Sequence, residues 1–394
     1  MALTIVDALL PDGSSRSIRL VDGLVQGAVD APEAGDDIVQ ANGRLLLPAM
    51  AEPHAHLDKA FLAETVPNPT GDLMGAILAM EHHRDLITVE DTAARAERAA
   101  RLIVANGATA IRSHVDITEG AGVRSLEALI RVRERLRGLV DLQLVALGGM
   151  PILGPEGTEE RALLKEAIRM GVDVVGGCPH LESDPDAATD FWMSTAAEAG
   201  LPLDLHTDET LDPSRFALPH LAQRTIDWGF PHGVTASHCV SLGMQPEAEQ
   251  RRVAELVAQA GVNVVALPSS NLYLQGRDHP TGTPRGLTAV GALRAAGANV
   301  AAGADNLQDP FNLVGRGDCL ETASLMVMAG HLLPDDAFHC VANASRAALG
   351  LAAAGPVAGA VADLVLVTAA SVREAVAFGP AGRTVVRAGR VVAG

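Results

Sequence analysis

His54 and His56 stand one residue apart in the stretch Glu52-Pro53-His54-Ala55-His56-Leu57-Asp58, and this spacing is the clearest chemical signal in the chain. Side chains two apart on a β-strand point to the same side, so one strand would present both imidazoles on a single face. Two converging imidazoles make half of a divalent-metal site. A lone pair of this kind is equally what two neighbours on a strand look like, so the other donors must come from elsewhere. His206 ends the run Leu203-Asp204-Leu205, His238 ends Val234-Thr235-Ala236-Ser237, and Asp305 follows the run from Asn299 to Gly303. Each is a polar residue placed where an apolar strand stops. Any one of them alone suits a hydrogen-bonded structural role. Together they suit a bound cation and the water it activates.

The elements that would have to position these residues alternate along the chain. Short β-rich runs occur at 45–56, 110–115, 142–147, 172–175, 202–206, 233–238, 262–267 and 299–303, with helical stretches between many of them. The stretch 158–170 opens on Thr158 as an N-cap and stops at Gly171; 247–260 has Val253, Leu256 and Val257 on one face and stops at Gly261. Eight strands alternating with helices predict a parallel (β/α)₈ barrel, whose catalytic face is the C-terminal end of its strands. A doubly wound open sheet is the competing architecture, but no GxGxxG follows a strand. The two ends of the chain read as short strands separated by turns such as Asp12-Gly13 and Asp22-Gly23. Residues 1–45 and 360–394 are therefore expected to meet in a small β-sandwich-like domain beside a barrel spanning 46–359.

Composition narrows the partners. The 394-residue chain carries a net charge of −18, which argues against nucleic acid, whose phosphates need clustered Lys and Arg. Aromatic residues are 3% of the chain, so the core must be built from Ala, Val, Leu and Ile. Cys178, Cys239, Cys319 and Cys340 are widely spaced, giving neither a disulfide framework nor a thiolate zinc site. The N-terminus lacks the pattern of a secretory leader, and no apolar run is long enough for a membrane span. A soluble cytoplasmic protein without a membrane partner is the expectation; self-association is left open.

Motifs along most of the chain resemble the amidohydrolase superfamily, in its cytosine deaminase-like branch: PHAHLD (53–58), RSHVD (112–116), VVGGCPH (174–180), HTDE (206–209), VTASH (234–238), NLYLQGR (271–277) and GADNLQDP (303–310). The resemblance implies that His54, His56, His206 and Asp305 hold one divalent ion, Zn²⁺ or Fe²⁺. It implies that Glu209 shuttles protons to a ring nitrogen and a departing amine, that His238 stabilises the attacked carbon's oxygen, and that Asp305 also orients water. Binuclear relatives use a lysine at the fourth strand. This chain has only Lys59 and Lys165, neither there, and offers Cys178 and His180 instead, so one ion is expected.

The pocket walls depart from the branch. Cytosine deaminases carry a ring-reading Gln past the third strand, where this chain has Leu147-Gly148-Gly149-Met150-Pro151; Asn306 replaces a second Asp, and Phe311 stands where a Trp is usual. Met150, His180, Asn306 and Phe311 are thus candidate substrate contacts, with structural packing equally suited to His180. His114 suits a supporting hydrogen bond better than substrate contact; His82 and His83 read as solvated, and Gln275, Gly276 and Arg277 as structural. The expected activity is hydrolytic deamination of an amino-substituted N-heterocycle other than cytosine, such as an aminopterin, a creatinine-like ring or an aminotriazine. The competing readings are hydrolysis of a substituted amine or cyclic amide, a non-hydrolytic metal barrel such as an isomerase, and a catalytically silent barrel that serves as a binding scaffold.

Overall fold

The structure, a computed structural model, describes residues 2–394. The chain begins with strands β1 (Ala2–Leu9), β2 (Ser15–Val21), β3 (Leu24–Val29), β4 (Asp37–Gln40) and β5 (Leu45–Pro48). It then enters a parallel sheet built from β6 (Met50–Ala55), β7 (Ala108–Ile117), β8 (Asp141–Gly148), β9 (Val174–Gly176), β10 (Leu203–Thr207), β11 (Val234–His238), β12 (Asn263–Ala266) and β13 (Val300–Ala302). These eight strands pair in sequence order, with helices between successive strands. The expected barrel is present.

It closes through a few backbone contacts at one level. Asp305 N–H donates to the His54 carbonyl at 3.0 Å, and His56 N–H donates to the Asp305 carbonyl at 3.3 Å. The seam between the first and last strands therefore runs through three of the four residues expected to bind metal, His54, His56 and Asp305, and their backbones are tied by the same hydrogen bonds that shut the barrel.

The chain ends with β14 (Leu364–Val367), β15 (Thr384–Arg387) and β16 (Arg390–Ala393), which join β1–β5 in a second sheet. The two termini thus build one separate sheet. It is mostly antiparallel, although β4 runs parallel to β1. The single run expected over 45–56 is two strands. Leu45–Pro48 pairs antiparallel with β14 in the terminal sheet, and Met50–Ala55 opens the barrel. The break falls at Ala49, whose N–H goes to the Asp363 carbonyl, while the next N–H, on Met50, goes to Gly107 in the barrel. An unbroken apolar run cannot reveal such a change of partners.

The helices at Thr158–Met170 and Glu247–Ala260 end as expected on Gly171 and Gly261, at φ 93° and 67°, a conformation that costs glycine little. Thr158 is not the cap of its helix. Gly157 holds that position, and the Thr158 hydroxyl donates to the Pro155 carbonyl at 2.6 Å.

With few aromatics, packing depends on close backbone approach. Trp192, one of the largest fully buried side chains, lies against Gly148 and Gly177. A Cβ at either glycine would fall 2.3 or 2.2 Å from its ring. These glycines end β8 and follow β9, so the missing side chains both admit the indole and leave the barrel mouth open above it. Among the described residues no helix is long and apolar enough to cross a membrane.

Candidate active site

Four side chains from the strand ends of β6 and β10 and the loop after β13 converge inside the barrel mouth. His206 Nε2 lies 3.2 Å from His54 Nε2 and 3.2 Å from His56 Nε2. Asp305 Oδ1 lies 3.3 Å from His56 Nε2 and 3.7 Å from His54 Nε2. Donors about 2.1 Å from a tetrahedral ion sit roughly 3.4 Å apart, so these spacings fit one divalent cation. Asp305 Oδ1 is buried and has no hydrogen-bond partner, as a waiting ligand atom would be. Burial, followed by neighbouring imidazoles, pushes His54 and His206 well below the ordinary histidine value; burial followed by Lys59 does so for His56. All three rings are therefore neutral, the form that ligates. The residues present fit the metal.

Backbone strain accompanies the cluster. Asp305 and His238 have φ of 64° and 70°, and Asp208 lies at 52°, a region that non-glycine residues enter at some cost and that concentrates at functional sites. Asp208 is held there because its carboxylate accepts from Ala217 N–H and Leu218 N–H at 2.8 and 2.9 Å. That clamp turns the following residue, Glu209, back over the barrel.

Glu209 and His238 lie side by side next to the ligand cluster, with Glu209 Oε1 3.5 Å from His238 Nδ1. Burial first and the Asp305 charge second raise the Glu209 carboxyl well above its usual value, which favours its protonated form. Gln275 steadies the Glu209 backbone, its amide donating to the Glu209 carbonyl at 3.3 Å. Burial pushes His238 down to about 4. His238 Nδ1 pairs with Asn271 Oδ1 at 3.0 Å, and an amide oxygen only accepts. The ring proton is thus on Nδ1, and Nε2 is left with a lone pair, 3.9 Å from Asp305 Oδ2.

A cavity of about 430 Å³ opens onto this centre; His56, Glu209, His238 and Asp305 line its floor, and Met150, Asn306 and Phe311 its walls. Asn306 donates through Nδ2 to Asp309 Oδ2 at 2.8 Å, which leaves its Oδ1 as an acceptor. His180 is not on the cavity wall. Its Nδ1–H donates to the His206 carbonyl at 3.0 Å, so it supports the backbone of a candidate ligand. His114 is fully buried and stacks on His54 with ring centroids 3.8 Å apart. His82 is exposed, whereas His83 caps its helix by donating from Nδ1 to the Ala79 carbonyl at 2.8 Å.

Two of the neighbours, Lys59 and Ser270, lie outside the motifs quoted above. Lys59 is buried and lines the cavity, its ammonium 2.6 Å from Asp116 Oδ1 and 3.0 Å from His56 Nδ1. Burial opposes its charge, but Asp116 and Asp58 outweigh that and hold Lys59 above the ordinary lysine value. Ser270 donates to Asp305 Oδ2 at 2.6 Å, which orients the carboxylate so that Oδ1 faces the imidazoles. Cys178 also lines the cavity, and burial raises its thiol further, so it stays neutral and is a poor ligand.

The amidohydrolase family profile matches residues 70–393. The chain belongs to the amidohydrolase superfamily, in its cytosine deaminase-like branch. This amidohydrolase is 35% identical to the pterin deaminase of Rhizobium rhizogenes over 95% of its own length and 87% of that protein. Its fold superposes on 5-methylcytosine deaminase from Klebsiella pneumoniae, solved with 5-fluorocytosine, at a TM-score of 0.89 and 32% identity, covering 99% of this chain and 97% of the other. It superposes on N-isopropylammelide isopropylaminohydrolase from Burkholderia multivorans at 0.84 and 32% identity, covering 100% and 98%. Membership makes the amidohydrolase a metal-dependent hydrolytic enzyme acting on C–N bonds other than peptide bonds.

Proposed function

We propose that this chain is a hydrolytic deaminase of a fused, amino-substituted N-heterocycle, dependent on one Zn²⁺ or Fe²⁺ ion held by His54, His56, His206 and Asp305. The observation that carries the reading is Glu209: a buried carboxyl, its pKa raised by that burial, in the same cavity as the ligand cluster and 3.5 Å from His238. A general acid so placed is what an amine needs in order to leave.

The bound ion supplies a lowered pKa for water. The remaining work falls to the chain. Asp305, fixed by Ser270, orients the attacking water, and the unprotonated Nε2 of His238 accepts a hydrogen bond from that water as its oxygen adds to the ring carbon bearing the amine. Glu209 gives its proton to the adjacent ring nitrogen, regains one from the attacking water, and passes it to the amine. The C–N bond then breaks, ammonia leaves, the remaining proton of the added water returns to the Glu209 carboxylate, and the ring carbon keeps the water oxygen as a carbonyl.

The walls favour a substrate larger than cytosine. The stretch Gly148-Gly149 brings no side chain to the cavity, and Leu73, Ile77, Met80 and Ile87 roof it with apolar surface. Phe311 offers a flat face for a ring to stack on, and the free Asn306 oxygen suits a ring N–H. The similarity to a pterin deaminase agrees with this. The free cysteines suit a reducing, cytoplasmic setting.

The test is ammonia release by the metal-loaded enzyme from pterin, cytosine and N-isopropylammelide. Pterin is expected to yield one ammonia per turnover, and cytosine to react at least about tenfold more slowly, the scale on which a mismatched pocket discriminates. Release of an alkylamine alone, or no amine from any of the three, would contradict deamination.

A further inference from the structure

Beneath the ligand cluster the barrel encloses a charged pair that stability alone does not explain. Arg112 on β7 and Asp204 on β10 are 3% and 0% exposed, with Nη1 2.8 Å from Asp204 Oδ2. A buried ion pair can often be replaced by apolar residues at little or no loss of stability, so its presence asks for another role. The Arg112 guanidinium is held rigidly, Nε donating to Gln143 Oε1 at 3.0 Å and Nη2 to the Ala348 carbonyl at 3.1 Å.

Hydrogen-bond polarity then runs in one direction only. A carboxylate paired with Arg112 is ionised and can only accept. Asp204 Oδ1 is 2.9 Å from Ser237 Oγ, so the serine hydroxyl gives it its single proton. The oxygen of Ser237, 2.9 Å from His54 Nδ1, can then only accept. The proton of His54 is therefore on Nδ1, and the lone pair on Nε2 is aimed at the ligand cluster. His206 has no partner on its Nδ1, and the Nδ1 of His56 faces a donor, Lys59, so of the three imidazoles His54 is the one whose Nδ1 proton is held by a buried acceptor.

We infer that Arg112, Asp204 and Ser237 are positioning residues that lock His54 in its metal-binding tautomer before the ion arrives. The inference rests on the one-ion reading above and adds to it a reason for the buried charges. Such outer partners of a ligating histidine affect metal affinity about 10- to 100-fold.

The experiment uses the full-length enzyme. Zn²⁺ affinity is measured by chelator competition for wild type, Ser237→Ala and Ser237→Thr, together with the visible spectrum of each Co²⁺ form. Ser237→Ala is expected to bind Zn²⁺ about 10- to 100-fold more weakly and to change the Co²⁺ spectrum, with kcat largely restored in excess metal; Ser237→Thr, which keeps the hydroxyl, is expected to recover affinity. Equal affinity and superimposable spectra for Ser237→Ala and wild type would overturn the inference. Neutron diffraction from wild-type crystals decides it without any variant. Deuterium on His54 Nδ1, with the Ser237 hydroxyl turned to Asp204, is expected; deuterium on His54 Nε2 would overturn it. If wild type binds no metal at all, the one-ion reading fails, and the neutron map still judges the tautomer.

Discussion

Glu209→Gln is expected to keep its metal and to lose kcat by at least about 10²-fold, the usual scale for a general acid–base group. Glu209 is not among the four side chains whose donor atoms converge at the proposed metal site, and the neutral His238 ring lies 3.5 Å from its Oε1. Glutamine has the same shape, can still bridge to the substrate, and leaves the backbone held by Gln275 in place. What it cannot do is deliver a proton and take one back. The loss should therefore fall on kcat, with a much smaller change in KM, and metal content by atomic absorption should match wild type. An unchanged kcat would remove Glu209 from the mechanism.

Asp305→Asn is expected to weaken both metal retention and rate, the latter by at least about 10²-fold. The substitution is a clean one in backbone terms. Asp305 sits at φ 64°, and Asn enters that left-handed region as readily as Asp, so no new strain arises. The change lies in charge and in hydrogen-bond polarity. Ser270 donates to Oδ2 at 2.6 Å, which an amide nitrogen at that position cannot accept. The introduced amide would keep that bond by placing its oxygen towards Ser270, and would then turn its NH₂ towards the imidazoles in place of the ligand atom. Dialysis against a mild chelator followed by metal analysis reads the first effect, and steady-state assay with metal in excess reads the second. Full activity with metal retained would contradict the role given to this carboxylate.

The sequence exposed what local periodicity encodes. His54 and His56 are legible because a strand repeats every two residues, and His206, His238 and Asp305 because each ends or follows an apolar run at the same end of the barrel. Most strand positions follow for the same reason. The supporting contacts are a different matter, because they arise between residues far apart in the chain. Arg112 and Asp204 read as isolated charges within apolar strands, and only barrel closure brings them together. Ser237 stands beside His238 in VTASH, yet its side chain serves His54, on a different strand. Ser270 and Asn271 lie in a helix starting at Pro268, and nothing in that stretch says that one orients Asp305 and the other sets the tautomer of His238. Lys59 could be weighed only as a missing bridging lysine, whereas the fold buries it between Asp116 and His56. His180 was legible as a histidine near the mouth, but its direction depends on the turn at 179–181, which aims it at the His206 carbonyl.

The proposed catalysis depends on one cation gathered by residues from opposite ends of the barrel sequence. The most direct measurement is a crystal structure of the metal-loaded enzyme, with anomalous scattering to locate and identify the ion. One peak bonded to His54 Nε2, His56 Nε2, His206 Nε2 and Asp305 Oδ1 is the predicted result. No peak among these atoms after metal loading, or a second ion bridged through the end of β9, would contradict it.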